Sequence, residues 1–178
     1  EPIELEGGKR MFPMYTTAID ALDLRGRIEG NPLLKLYSKK NFLRELKKCY
    51  AGLRADNTNI EYIRTGNFGG GAFLPSELFE NDSEREDYIV FKGLIQLLAG
   101  SIYSPNVGKE LDYCPFSEGG VSSKLLSLSN KLHESGIKAR ELYDILSLKC
   151  TKYWFFINYI YLKINGLDID IFRLPTLI

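Results

Sequence analysis

The stretch from Ser83 to Gly100, SEREDYIVFKGLIQLLAG, decides the fold of this chain. Ser83 and Glu86 have the spacing of a capping box, in which each side chain satisfies a backbone amide in the first turn of a helix. Glycine is common just after a helix ends, so Gly100 predicts the stop. Apolar side chains between these limits cover nearly every face, which is typical of a helix buried on all sides. We therefore predict a central buried helix over about residues 84–99.

Further helices are predicted on both sides of the central one. Asn41 can cap a helix that runs through Asp56, with apolar residues on one face and lysines on the other. The same periodicity predicts a helix over residues 122–135 and another from about 138 to 164. The chain is therefore expected to be mostly helical.

Short strands are predicted in three places. Residues 59–65 (NIEYIRT) are rich in β-branched and aromatic types, residues 71–75 resume an extended pattern after a glycine-rich turn, and residues 167–173 alternate apolar and charged side chains. The predicted fold class is α+β, with four or five helices packed on a small sheet. Residues 1–30 are rich in breakers and are expected to form a lead-in segment that docks on a single globular domain at 31–178.

Length and charge exclude several classes of protein. A chain of 178 residues can bury about 70% of its unfolded surface, so its stability requires no cofactor, and none is predicted. Lys plus Arg and Asp plus Glu both count 23. Without an excess of positive charge to attract phosphates, generic nucleic-acid binding is disfavoured. No apolar run reaches the ~18 residues of a membrane span, so no transmembrane segment is predicted.

The cysteines indicate a reducing compartment. Cys49, Cys114 and Cys150 are far apart and odd in number, and none has the CxxC or CxxH spacing of a metal site. An intracellular location without a metal is therefore expected. Because the chain begins at Glu1 rather than Met, it is also expected to be a fragment or processed product, with any targeting segment upstream.

A cysteine hydrolase is one candidate function. His133 is the sole histidine of the chain, and histidine is the residue best suited to proton transfer near neutral pH. Cys114, His133 and a later acid such as Asp144 follow the chain order of a nucleophile, its base and an orienting group. The alternative is that His133 interacts with the C-terminal end of its own helix.

The glycine run in GNFGGGAFLP, residues 66–75, is a candidate binding site. Amides without side chains can converge on an anion, which makes Asn67, Gly69, Gly70 and Gly71 candidate phosphate-binding residues. The run lacks the GK[ST] ending of a P-loop. A flexible hairpin turn is the alternative interpretation.

The order of a strand, a glycine-rich strand, an acidic loop and a buried helix resembles the core of the zincin metallopeptidases, whose active helix carries HExxH. On that resemblance the zinc ligands would fall at Lys92 and Gln96 and the general base at Gly93, and none of these residues can serve. The resemblance therefore implies a pseudo-peptidase without its metal. Alternatively, Lys92 reaches outward and Gln96 bonds to backbone, as a structural polar pair.

An aromatic stretch at residues 152–163 (KYWFFINYIYLK) offers a protein-binding surface, unless it is buried in the core. Its candidate anchors are Tyr153, Trp154, Tyr159 and Tyr161. The favoured prediction is a non-catalytic, regulatory module whose partner is another protein. The usage of Ile, Asn, Lys and Tyr favours a microbial or viral effector that is delivered into a host cell and acts on host proteins.

Overall fold

The computed structural model describes residues 3–5, 7–11, 16–25, 36–54, 62–103, 110–114 and 120–147. The α-helices within these ranges are α1 (Lys39–Leu53), α2 (Asp82–Tyr103), α3 (Gly120–Glu134) and α4 (Ala139–Ser147). The strands are β1 (Ile3–Leu5), β2 (Lys9–Met11), β3 (Tyr62–Thr65) and β4 (Glu110–Tyr113), and a single 3-10 turn covers Ser76–Leu78. The predicted α+β class is confirmed, with four helices in the described part of the chain.

Helix α2 is the centre of the described structure. Every residue from Tyr88 to Gln96 is buried, and Leu94, Leu98 and Ala99 are fully enclosed. Helices α1, α3 and α4 all pack against α2. An apolar surface around the whole circumference requires neighbours on every side, so the predicted central helix is confirmed.

The predicted ends of α2 are wrong by a few residues. Asn81, not Ser83, caps the helix: its Oδ1 accepts a hydrogen bond of 3.0 Å from the Glu84 amide, while the Glu84 carboxylate accepts one of 2.8 Å from the Glu80 amide. The helix therefore starts at Asp82. It also passes through Gly100, because one glycine costs a helix interior only about 1 kcal/mol, which tertiary packing can offset.

Helix α1 begins earlier and ends earlier than predicted. The Ser38 hydroxyl accepts a hydrogen bond of 3.3 Å from the Asn41 amide, so serine is the cap and Asn41 lies inside the helix. The helix ends at Leu53 rather than Asp56. Its Phe42 ring lies 6.5 Å from the Phe91 ring of α2, which places the predicted apolar face against the core.

Gly93 sets how closely α2 and α3 approach. A Cβ at this position would lie 2.9 Å from Cδ2 of Leu125 on α3, well inside van der Waals contact. A larger residue would require the Leu125 side chain to move. The position that the zincin resemblance assigned to a general base is therefore a packing contact between helices.

The sheet that holds the candidate site is a parallel pair formed by β3 and β4. Its register places Tyr62 opposite Glu110 and Thr65 opposite Tyr113. Parallel neighbours need a crossover connection, and α2 lies between the two strands in the chain. The predicted strand at 71–75 is wrong, because those residues form turns, and β4 was not among the three predicted strands.

The described residues also include a second sheet and the helices that follow β4. Strands β1 and β2 form a separate antiparallel pair. The helix predicted over 122–135 is confirmed as α3, and of the helix predicted over 138–164 the structure describes α4. The strand predicted at 167–173 lies outside the described residues.

Residues 16–25 lie over the helices and over the chain segment that follows β3. Ala21 and Leu24 are buried, and the Leu24 amide donates a hydrogen bond of 3.0 Å to the Phe73 carbonyl. Ile19 packs on α1 at Gly52. This part of the predicted lead-in thus contacts the body, while the division at residue 30 stays a prediction.

Candidate functional site

The candidate site is built on the glycine-rich segment, which we define as Gly66–Leu74, directly after the C-terminal end of β3. Three backbone hydrogen bonds of 2.7 to 2.9 Å fold the segment into successive turns: Phe68 N to Gly66 O, Gly70 N to Asn67 O, and Leu74 N to Gly71 O. Gly69 has a φ of 66°, a left-handed conformation that glycine adopts without steric cost. The segment is therefore a compact set of turns, not the predicted hairpin.

Several amides of the segment have no hydrogen-bond acceptor among the described residues. Within the described residues, the backbone N–H groups of Asn67, Gly69, Gly71 and Ala72 donate no hydrogen bond to a protein acceptor. Amides in consecutive turns that include a left-handed residue form a concave surface that can bind an anion. Three of these four residues were predicted as binding residues, and that assignment stays a prediction.

Side chains from α2 and β4 hold the segment in place. Gln96 Nε2 donates to the Gly66 carbonyl at 2.9 Å, and Gln96 Oε1 accepts from the Thr65 hydroxyl at 2.6 Å. Arg85 Nη2 donates to the Gly70 carbonyl at 3.1 Å. The start and the middle of the segment are thus hydrogen-bonded to α2.

Tyr113 on β4 ties down the side chain of Asn67. Its hydroxyl donates to Asn67 Oδ1 at 2.8 Å. Burial raises the pKa of Tyr113 to about 12, so the phenol keeps the proton that it donates. The Asn67 side chain is therefore fixed by a neutral donor.

A buried ion pair lies beneath the segment. Lys92 Nζ on α2 pairs with the Glu45 carboxylate on α1, and both residues are about 2% exposed. Burial lowers the pKa of Lys92, and the neighbouring Glu45 charge opposes that shift. The other Glu45 oxygen pairs with Arg44. One interpretation of the sequence proposed that Lys92 reaches outward, and this ion pair shows that it does not.

The predicted catalytic residues lie on three different elements. Cys114 is exposed just after β4, and its amide donates to the Thr65 carbonyl at 2.8 Å. His133 is exposed in the last turn of α3, and Asp144 is exposed on α4. Across the described ranges, no hydrogen bond or ion pair joins any two of these three side chains. The arrangement gives a cysteine nucleophile no base and no orienting acid.

The aromatic anchors predicted for protein binding are outside the described residues: Tyr153, Trp154, Tyr159 and Tyr161. Within the described part, Phe73 is an exposed aromatic ring in the glycine-rich segment itself, with the Arg25 guanidinium 4.7 Å from the ring centroid. Exposed aromatic area therefore does occur at the candidate site.

Sequence reasoning missed Glu45, Arg85 and Tyr113. Glu45 could have been found from the sequence, because it lies beside Leu46 on the face of α1 that includes Phe42. That face was predicted to be buried. A carboxylate on a buried face requires a cation. Arg85 and Tyr113 carried no comparable signal, since their partners are backbone and side-chain oxygens distant in sequence.

The fold and the site together define an α+β domain in which the parallel strand β3 leads directly into a glycine-rich segment. A family model described as poly(ADP-ribose) glycohydrolase (PARG), macro domain fold, matches residues 7–123. The match covers more than half of the chain, and the chain belongs to this family. The comparison with curated proteins found no match.

Family membership corrects the predicted function. A glycohydrolase family overturns the non-catalytic protein-binding module, the cysteine hydrolase of Cys114 and His133, and the metal-free pseudo-peptidase. It gives no support to an effector that acts on host proteins. No helix in the described ranges combines the length and the apolar character that a membrane crossing needs.

Proposed function

We propose that this chain is a glycohydrolase that acts on ADP-ribose conjugates, with the glycine-rich segment holding the ADP-ribose unit. The observation that carries the proposal is the extent of the family match. Residues 7–123 include the whole glycine-rich segment, the α2 helix that supports it and the β4 strand beside it. The matched region is therefore the region that forms the candidate site.

The chemistry of ADP-ribose suits the available amides. Its diphosphate is an anion, and backbone N–H groups that converge in a glycine-rich turn bind phosphates without needing basic side chains. This also suits a chain whose formal net charge is zero. Arg85, which already contacts the segment, adds a positive charge nearby.

Hydrolysis of a glycosidic bond needs carboxyl groups, usually one that donates a proton and one that activates water or attacks the sugar. Two carboxylates follow the glycine-rich segment closely, Glu77 and Glu80, and both are exposed. Glu84 is used in capping α2 and Glu45 in the buried ion pair. We assign Glu77 and Glu80 to the reaction because they are the first two exposed carboxylates after the segment.

The hydrolysis assay measures release of ADP-ribose from poly(ADP-ribose) by the wild type and by Glu77→Gln and Glu80→Gln. Loss of a positioned acid or base is expected to lower kcat by about 10²- to 10⁴-fold in at least one variant. Glu134→Gln, at an exposed carboxylate on α3, is the matched control and should keep full activity. A wild type that binds ADP-ribose but releases none from the polymer would refute the glycohydrolase assignment.

The binding assay uses calorimetry with ADP-ribose and Gly71→Val. A Cβ at Gly71 would meet no atom within 4 Å, so we expect the fold to accept the valine. A ligand that approaches the amides would collide with the valine side chain. We expect at least a tenfold weaker affinity, about 1.4 kcal/mol. Ser123→Ala on α3 is the control. Unchanged affinity in Gly71→Val would place the ligand elsewhere.

A further inference from the structure

We propose that Lys92 is a positioning residue for the glycine-rich segment: the ammonium, anchored by Glu45, holds Phe68 and Gly69 in the conformation that directs the segment's amides toward a ligand. The ligand part of this inference rests on the proposed function above. The positioning part concerns the conformation of the ligand-free protein.

The contacts of Lys92 lie at the middle of the segment. Its Nζ is 4.4 Å from the centroid of the Phe68 ring, over the ring face, which is the geometry of a cation–π interaction. A Cβ on Gly69 would lie 2.8 Å from the same nitrogen. The ammonium is therefore packed directly against the left-handed residue of the segment.

A second residue also crowds Gly69. A Cβ at Gly69 would lie 2.9 Å from the Ala21 Cβ, and Ala21 belongs to residues 16–25, which cover the segment. Gly69 is thus packed against both Lys92 and Ala21. Moving the ammonium away would open one side of this contact and release the turn.

The ion pair fixes where the ammonium lies. Glu45 reaches Lys92 from α1, and Arg44, which pairs with the same carboxylate, also pairs with Asp20 at 2.8 Å. A chain of charges therefore runs from the surface to the segment. Since a buried ion pair is often no more stable than an apolar pair of similar volume, stability alone does not account for a lysine here.

The test separates positioning from stability with two variants. Lys92→Met leaves Glu45 buried without its lysine and is expected to be destabilised. Lys92→Met/Glu45→Leu replaces the whole pair with apolar side chains and is expected to recover most of the unfolding midpoint. Hydrogen exchange is then measured on the ligand-free proteins at the amides of Phe68, Gly70 and Leu74, which close the turns.

Positioning by the ammonium predicts that these three amides exchange at least tenfold faster in the double variant than in the wild type, although stability has recovered. The Kd for ADP-ribose should rise at least tenfold, and the effect on turnover should be seen in KM rather than kcat. Wild-type exchange and wild-type affinity in a stable double variant would overturn the proposal, because packing alone would then suffice.

Two further variants keep the test decisive. Phe68→Leu removes the ring but leaves the ion pair intact, so it should speed exchange of the same amides severalfold even if the double variant does not fold; unchanged exchange would overturn the proposal. Lys124→Met breaks a different lysine contact, 2.6 Å from Asp87, and should leave the segment unchanged. If the wild type fails to bind ADP-ribose, the proposed function falls, whereas the exchange data still decide the role of Lys92.

Discussion

Replacement of Gly69 by alanine tests the conformation of the glycine-rich segment most directly. An L-residue at a φ of 66° costs about 1–2 kcal/mol, because its Cβ crowds the following carbonyl. The new methyl would also lie 2.8 Å from Lys92 Nζ and 2.9 Å from the Ala21 Cβ, and relieving such overpacking costs about 1–3 kcal/mol. The lower entropy of the unfolded alanine chain offsets about 0.4–1 kcal/mol. We expect Gly69→Ala to lower the free energy of unfolding by about 1–5 kcal/mol.

The assay is unfolding in urea, monitored by the helical circular dichroism signal. The dependence of the unfolding free energy on urea concentration is compared between variants. Gly71→Ala is the matched control: Gly71 has no positive φ, and a Cβ there meets open space. Because alanine also lowers the entropy of the unfolded chain, its stability should match that of wild type or exceed it by up to about 1 kcal/mol. Equal stability of Gly69→Ala and Gly71→Ala would refute both the left-handed turn and the close contact with Lys92.

Three further predictions concern stability. Gln96→Leu leaves the Thr65 hydroxyl and a carbonyl without their partner, so unfolding experiments should show a loss of about 1–3 kcal/mol; an unchanged midpoint would contradict those bonds. Gly93→Ala should be less stable than wild type because Leu125 is too close, although the same substitution at an exposed helical position increases stability by ~1 kcal/mol. A more stable variant would refute that contact. Burial, with the Glu45 charge adding to it, raises the pKa of Cys49 from 9.0 to about 12. The native state therefore keeps a proton that the unfolded state loses, and stability should fall as pH rises above 9, by up to about 1.4 kcal/mol per unit. Cys49→Ala should flatten this fall, and an equally steep fall in that variant would assign it to other groups.

Local patterns predicted the helices well. The run of apolar residues from Tyr88 to Leu98 was sufficient to identify a helix buried on all sides, because no other arrangement hides so many side chains on one helix. Helix ends were predicted less well. Asn81 and Ser83 are both suitable caps, and the choice between them depended on which following glutamate could reach back.

The strands show where local patterns were insufficient. Tyr62–Thr65 was recognisable from its β-branched and aromatic residues, but its partner, Glu110–Tyr113, is a short stretch with little of that character. Local sequence cannot show that two such segments pair, since the parallel register depends on the helix that connects them. For the same reason the glycine-rich turns were predicted as a hairpin.

The candidate site was recognised in part. The sequence marked Lys92 and Gln96 as the polar interruptions of the buried helix and marked the glycine run separately. It could not show that both side chains contact that run, because Gln96 is 30 positions from Gly66 and Lys92 is 23 positions from Gly69. It also gave no means of choosing a glycohydrolase over other functions, and the function predicted from it was wrong.

The sequence by itself determined which segments become helices and that one of them lies in the interior, because hydrophobic periodicity acts over a few residues at a time. Only the tertiary structure decided that β3 pairs with β4, that Glu45 meets Lys92, and that the buried polar side chains of α2 support the glycine-rich segment. These contacts join distant parts of the chain, and their geometry is set by how the helices pack around α2. The site therefore depends on packing that no single stretch of the sequence encodes.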